Sequence, residues 1–244
     1  MNIALIGYGK MGKEVERAAL ARGHAVARIF ELDNNRGGAG ITRETLAGVD
    51  VCIEFSTPGA VMENIAAAAG AGANIVVGTT GWSLRLEEVR SVVRGAGTGL
   101  LYASNFSLGV NLFLAMVRHA ARLMDAYPAY DASIHETHHK GKADSPSGTA
   151  LAIGAVMLDA LGRKTAILSG APGGPIGPEQ LHISSARVGA VTGTHAVLFD
   201  SDADAIELTH TAKNRSGFAL GAVVAAEWLQ GKKGIFTMAD VIPL

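Results

Sequence analysis

The pattern of apolar and polar positions changes character near the middle of the chain. Over the first hundred residues, short apolar runs alternate with longer stretches whose apolar residues recur at helical spacing. NIALIG (2–7), HAVARIFE (24–31), DVCIEFS (50–56), NIVVGTT (74–80) and GLLYASNF (99–106) read as strands. Lys10 to Arg22, Gly59 to Ala71 and LRLEEVRSVVRG (84–95) read as helices. Near-continuous apolar strands separated by helices of ten or more residues predict a parallel sheet covered on both faces.

From Leu108 to Ala126 the apolar spacing predicts one long helix. Beyond it come AYDASIHET (129–137), LHISSARV (181–188), THAVLFDS (194–201) and AIELTHTA (205–212). The last three alternate polar with apolar, as strands of an antiparallel sheet with one open face do. SGFALGAVVAAEWLQG (216–231) closes the chain as a helix rich in small and apolar residues. The expected fold is α/β. It has a Rossmann-like parallel-sheet domain over 1–106, and an α+β domain over 107–216 with an open mixed or antiparallel sheet. The closing segment 217–244 is expected to return to the first domain.

Composition narrows the function more by exclusion than by assignment. A formal net charge of −1 gives no global attraction to nucleic acid or to an anionic membrane, so any basic site must be local. No run of about 20 apolar residues occurs, and the N-terminal stretch does not read as a secretion signal. The single cysteine, Cys52, cannot form an internal disulfide, which points to a reduced, cytoplasmic setting.

GYGKMG (7–12) fits the G-x-G-x-x-G dinucleotide fingerprint. The pattern alone is weak, because a glycine-rich turn without a ligand can match it. Here it follows a strand and opens a helix, as the fingerprint requires. Gly7 would allow the tight turn, Gly9 the approach of pyrophosphate, and Gly12 close helix–strand packing. Glu31, at the end of the second strand, is placed to bind both ribose hydroxyls, with Asp33 two residues further on. That favours NADH over NADPH, although Lys10 and Arg36 are available to a 2′-phosphate. GTTG (78–81) and ASNF (103–106) fall at the carboxyl ends of later strands, where ligands of open α/β sheets lie.

HETHHKGKADSPSGTA (135–150) raises two readings. HETHH spells the H-E-x-x-H pattern of zinc peptidases, which works only when the histidines are neighbours one helical turn apart. YDASIHET alternates like a strand, on which four residues span about 13 Å, too far for one zinc ion to bridge. The expected metal content is none. The second reading is an anion site. Ser145 to Thr149 resemble a helix start, with a proline in the first turn and hydroxyls to cap free N–H groups. A carboxylate there would meet N–H groups, the Ser147 and Thr149 hydroxyls and the helix dipole, with His138, His139, Lys140 and Lys142 around it. A solvated basic loop ahead of an ordinary capped helix is the plainer alternative. Cofactor and anion sites lie in different parts of the chain, so closure of one part on the other is expected to bring them together.

At these residues the chain resembles the 4-hydroxy-tetrahydrodipicolinate reductase (dihydrodipicolinate reductase) family. The resemblance rests on GYGKMG, FSTP (55–58), GTTG, SNFSLGVN (104–111), HETHHKGKADSPSGTA, RVGAVTGTH (187–195) and AKNRSGFALGAVVAAEWL (212–229), and so runs from end to end. The long basic block is highly specific; the glycine fingerprint is not. The resemblance implies NAD(P)H-dependent reduction of a small dicarboxylate, with loss of water, in lysine and diaminopimelate biosynthesis. It implies His138 as general acid or base, Lys142 as the other proton donor, and His139, Ser147, Gly148 and Thr149 as substrate contacts. Matching cofactor positions are Gly7, Tyr8, Gly9, Lys10, Met11, Gly12, Glu31, Gly78, Thr79, Thr80, Ala103, Ser104, Asn105 and Phe106. A homotetramer built through the C-terminal sheets is also implied. Where some members carry an NADPH-serving arginine after the acid of strand two, this chain has Leu32, and its span from Asp33 to Val49 is short. Arg187 and His195 are left open between bordering the substrate and holding the fold, while His182 and His210 read as structural or exposed. The alternatives are another dehydrogenase of amino or oxo acids, and a non-catalytic dinucleotide sensor, which would need no proton donors.

Overall fold

The computed structural model describes residues 1–214 and 216–242; Arg215 of the closing motif and the last two residues of the closing segment lie outside them. The elements run β1 (Asn2–Ile6), α1 (Lys10–Ala21), β2 (Ala25–Phe30), β3 (Val51–Glu54), α2 (Val61–Gly70), β4 (Asn74–Val77), α3 (Leu86–Ala96) and β5 (Gly99–Tyr102). Then come α4 (Leu108–Asp125), β6 (Asp131–His138), α5 (Gly148–Ala160), β7 (Ala166–Ser169), β8 (Gln180–Arg187), β9 (Thr194–Asp200) and β10 (Ala205–Thr211). The chain closes with α6 (Ser216–Leu229), β11 (Gly234–Phe236) and α7 (Met238–Val241). It forms two compact units, residues 1–111 with 215–244, and residues 112–214.

The first unit is a six-stranded parallel sheet in the order β11-β5-β4-β3-β1-β2. β1 and β3 to β5 are short and almost wholly buried, because helices cover both faces. Ile3, Leu5, Val51 and Ile53 pack on one side with Val15 and Ala19 of α1 and with Ala219, Ala222, Val223 and Ala226 of α6. Ala4, Ile6, Cys52 and Ile75 pack on the other with Val61 and Ile65 of α2 and Val89 and Val93 of α3. The small residues of α6 let it lie close: a Cβ added at Gly221 would fall 1.7 Å from the Phe106 carbonyl oxygen. β11 escapes the sequence pattern, since three residues at a sheet edge carry no periodicity of their own.

The second unit holds a five-stranded sheet in the order β10-β9-β6-β8-β7. Alternation predicted an antiparallel arrangement of its last strands, and β9 does pair antiparallel with both β6 and β10. β8, however, runs parallel to β6 and β7, so the sheet is mixed. The cause is connectivity: α5 carries the chain from β6 to the sheet edge, where β7 runs in the same direction, and residues 170–179 then lead back to β8, parallel between the two. β7 was not foreseen from the sequence. Ala132, Ile134, Ile183, Val197 and Phe199 form the covered face with Ile153 and Met157 of α5 and Phe113 and Val117 of α4. The other face carries Ser133, His135, Thr137, Ser184 and Ala196 and is partly exposed. Among the described residues no helix is long and apolar enough to cross a membrane.

Candidate active site

In the first unit the fingerprint glycines occupy the turn between β1 and α1, at the point where strand order reverses from β1 to β3. Gly7 has φ +88°, and an added Cβ would stand 2.3 Å from the Phe55 carbonyl oxygen. A Cβ on Gly12 would lie 2.3 Å from the Gly7 carbonyl oxygen, whereas one on Gly9 would meet nothing within 4 Å. Two glycines are thus demanded by packing and the middle one faces open space, which is the cradle a pyrophosphate needs. Gly9 is the N-cap of α1 and offers no side-chain cap, so the first N–H groups of the helix are not capped from there. Lys10 is exposed, while Tyr8 and Met11 are half-buried. The Tyr8 hydroxyl donates to Glu16, and that bond raises the Tyr8 pKa.

The other expected cofactor positions collect at the same end of the sheet. Glu31 and Leu32 are exposed just past β2, and the Glu31 N–H donates to Asn34 Oδ1 at 2.8 Å. Gly78 lies against the Phe55 ring, which a Cβ would strike at 2.0 Å. Thr79 is buried, and its Oγ1 accepts the Ser56 N–H at 2.8 Å; Thr80 and Ser104 are exposed. Ala103 and Asn105 are half-buried; Phe106 is buried, edge-on to Phe55 at 5.9 Å. These residues fit a dinucleotide across the strand ends. Phe55, quoted only within FSTP, and the buried Glu54 beside it were given no role from the sequence. Burial raises the Glu54 pKa, opposed by hydrogen bonds from Ser56, Thr79 and Asn64.

In the second unit the basic block splits by face. β6 alternates, so His135 points to the open face while Ala132, Ile134, Glu136 and His138 share the covered one. His135 accordingly bonds Ser184 Oγ at 2.8 Å, away from Glu136. His139 lies beyond the strand and is exposed. Strand pairing then brings β8 and β9 alongside: Glu136 is opposite Ser185 and His195, and His138 is opposite Arg187.

Glu136 is fully buried. Its Oε1 accepts from the Ser147 N–H at 2.9 Å, from Ser185 Oγ at 2.8 Å and from Arg187 at 2.9 Å. Its Oε2 lies 2.9 Å from His138 Nδ1 and 3.8 Å from His195 Nε2. Burial pushes the Glu136 pKa up, but the bonds from Ser147, Arg187 and Ser185 outweigh it and bring the group to about 2. His138 is lowered by desolvation first, against which Glu136 raises it. His195 is lowered to about 4, mainly by burial and then by His138, whose ring it meets edge-on at 5.1 Å. The donor atoms of Glu136, His138 and His195 lie within 4.8 Å of one another, near enough to share a cation, but Arg187 already supplies positive charge to that carboxylate.

The loop after β6 is tied to this cluster. Arg187 also donates to the Asp144 carbonyl at 2.6 Å, and Lys142 Nζ pairs with Asp144 Oδ1 at 2.7 Å. α5 begins at Gly148 with Ser147 as N-cap, its Oγ accepting the Ala150 N–H at 3.1 Å. Two details differ from expectation. Pro146 stands one residue outside the cap rather than in the first turn. Ser147 is buried, its hydroxyl engaged by Ala150 and His195 and its N–H by Glu136, so it builds the site from within. Gly148 is exposed and Thr149 half-buried at the helix start. Arg187 and His195 now have places beside His138. The sequence did carry a sign of Glu136: an acid falls in step with Ala132 and Ile134 on the apolar face.

Comparison with known proteins gives a consistent picture. The family model described as dihydrodipicolinate reductase, N-terminus, matches residues 1–106, and the one for the C-terminus matches residues 109–242. A protein of Christiangramia forsetii named 4-hydroxy-tetrahydrodipicolinate reductase is 41% identical, over 99% of this chain and 98% of its own. One of the same name from Chromobacterium violaceum is 37% identical over 100% of this chain and 98% of its own. Among solved structures, a dipicolinate-bound dihydrodipicolinate reductase from Paenisporosarcina sp. TG-14 superposes with a TM-score of 0.78 at 22% identity, covering 100% of this chain and 99% of that one. That last likeness shows the shared fold.

Proposed function

The chain belongs to the dihydrodipicolinate reductase family, and on that premise we propose that it reduces 4-hydroxy-tetrahydrodipicolinate to tetrahydrodipicolinate. One reduced nicotinamide and one proton are consumed, and the 4-hydroxyl leaves as water. The observation that carries this reading is the convergence of His138 with Glu136, Arg187 and His195 at the foot of a basic loop. That arrangement is built to handle a proton beside an anion.

A nicotinamide nucleotide would be held by Gly7, Gly9, Gly12 and the α1 start, with Gly78 to Thr80 and Ala103 to Phe106 along the strand ends; when bound it supplies the hydride. The chain's own residues do the rest. His138 or Lys142 holds the proton that the reaction consumes. The start of α5, at Gly148 and Thr149, orients one carboxylate, and the Lys142 and His139 side chains face the other side of the dianion. General acid–base help of this kind contributes about 10²–10⁴ in rate.

Glu31 and the apolar Leu32 beside it favour NADH over NADPH, since an acid at the ribose repels a 2′-phosphate. The half-open face of the five-stranded sheet supports assembly into a homotetramer, as an unpartnered sheet face seeks cover. A cytoplasmic setting fits the single Cys52, buried with its thiol pushed up to about 12 by desolvation and so inert.

The test is a coupled assay in which the synthase generates the unstable substrate in place from pyruvate and aspartate semialdehyde. Loss of NADH and of NADPH is followed separately. Synthase-dependent oxidation of either nucleotide supports the proposal. Protein that binds NADH yet gives no turnover would move the reading to another acid substrate.

A further inference from the structure

Buried polar atoms without a well-directed hydrogen bond gather around one residue of the second unit. Glu136 Oε2, His138 Nδ1, His195 Nδ1 and Arg187 Nε all belong to this group. The 2.9 Å contact between Glu136 Oε2 and His138 Nδ1 is close enough for an ion pair but is not in line with the ring N–H. A carboxylate held this way acts on the ring by its charge. Its other oxygen is saturated by three donors, so the carboxylate cannot swing away to make a better bond elsewhere.

We propose that Glu136 is a positioning residue for the reduction: its fixed, buried negative charge is what allows His138 to carry a proton inside a desolvated pocket of cations. This rests on the reading of His138 as the acid.

The groups facing His138 can be named from every neighbouring element. Glu136 comes from its own strand, Arg187 from β8, His195 from β9, and Lys142 and Asp144 from the loop. Behind His195 stands His210 of β10. Desolvation, Lys142 and Arg187 all oppose an imidazolium; Glu136 and Asp144 favour it, with Glu136 the larger of the two. Asp144 is exposed and already paired with Lys142. Removing the Glu136 charge would leave burial and two cations nearly unopposed, and the proton would be lost to solvent. The same carboxylate accepts the N–H of Ser147, the N-cap of α5, so a single side chain fixes the acid and the helix start together.

The experiment follows the histidine imidazole ¹⁵N signals of the full-length protein through a pH titration, with His138→Gln to assign the resonance. In Glu136→Gln, His138 should titrate about one pH unit lower than in the wild type. Turnover above that pH should fall about tenfold, because about a tenth of the imidazolium remains. The KM for NADH should hold, and Glu136→Asp, which keeps the charge, should recover most of the profile. An unchanged His138 titration in Glu136→Gln would reduce Glu136 to a structural residue and overturn the proposal. Should Glu136→Gln not fold, Arg187→Gln carries the test in the opposite direction: with this opposing cation gone and the Glu136 charge left uncompensated, the His138 titration should rise, and no rise would be equally fatal. The titration needs no substrate. A wild type that lacks reductase turnover would therefore end the functional reading separately from this result.

Discussion

Gly193 and His138 are in such close apposition that a Cβ on Gly193 would stand 2.9 Å from His138 Nε2 and 3.2 Å from Cδ2. The bend ahead of β9 thus leaves the imidazole only the room that a missing side chain provides. Gly193→Ala should turn or displace the ring while leaving the sheet intact. If His138 is the acid proposed above, a shift of this size costs on the order of 10²-fold in rate. Steady-state kinetics should show kcat falling with little change in the KM for NADH. Wild-type kcat in this variant would mean that the ring has slack the geometry does not show.

His138 and Lys142 should separate chemistry from cofactor binding. His138→Gln and Lys142→Ala are each expected to lower kcat by about 10²–10⁴. NADH affinity, read by fluorescence titration, should stay within a factor of two or so, because the fingerprint residues belong to the other unit. Near-normal turnover in either variant would remove that residue from the proton path.

The exposed pair past β2 should set nucleotide preference. Leu32→Arg adds a cation beside the ribose position, where a charged hydrogen bond is worth roughly 1.5–3 kcal/mol. The ratio of kcat/KM for NADPH to that for NADH should rise about tenfold or more, and Glu31→Gln should lower NADH efficiency. If both ratios stay put, the adenosine end is held by other residues.

Stability should weaken in acid because of His195. Its folded pKa is depressed from 6.5 to about 4 by burial, so between those values the unfolded chain binds a proton that the folded chain refuses. The stabilisation is whole above pH 6.5 and is lost progressively as pH falls to about 4, by about 3 kcal/mol in all. Depressed His138 and His210 act in the same direction. Glu136, held at about 2, adds a further loss below its ordinary 4.5. Thermal midpoints measured from pH 7 to 4 should fall less steeply in His195→Gln than in the wild type; parallel curves would refute the assignment.

Local sequence determined the elements whose patterns are long or chemically marked. β1 to β5 announced themselves as apolar runs, α4 and α6 by helical spacing, and the turn at Gly7 by a glycine fingerprint set between a strand and a helix. The strand nature of YDASIHET was legible in its alternation, and with it the separation of His135 from His139. What tertiary structure decided is which strands became neighbours. Parallel pairing of β6 with β8 follows from two connections, α5 out to β7 at the edge and residues 170–179 back to β8, and no residue of β8 encodes it alone. β7 and β11 are too short to carry a period and exist because an edge was there to receive them. The site shows the same division. Glu136, Arg187 and His195 come from three adjacent strands, with Gly193 just ahead of the third, and their roles depend on register. The sequence named His138; only the sheet could set a buried carboxylate 2.9 Å from it, because that distance belongs to the pairing and to no segment by itself.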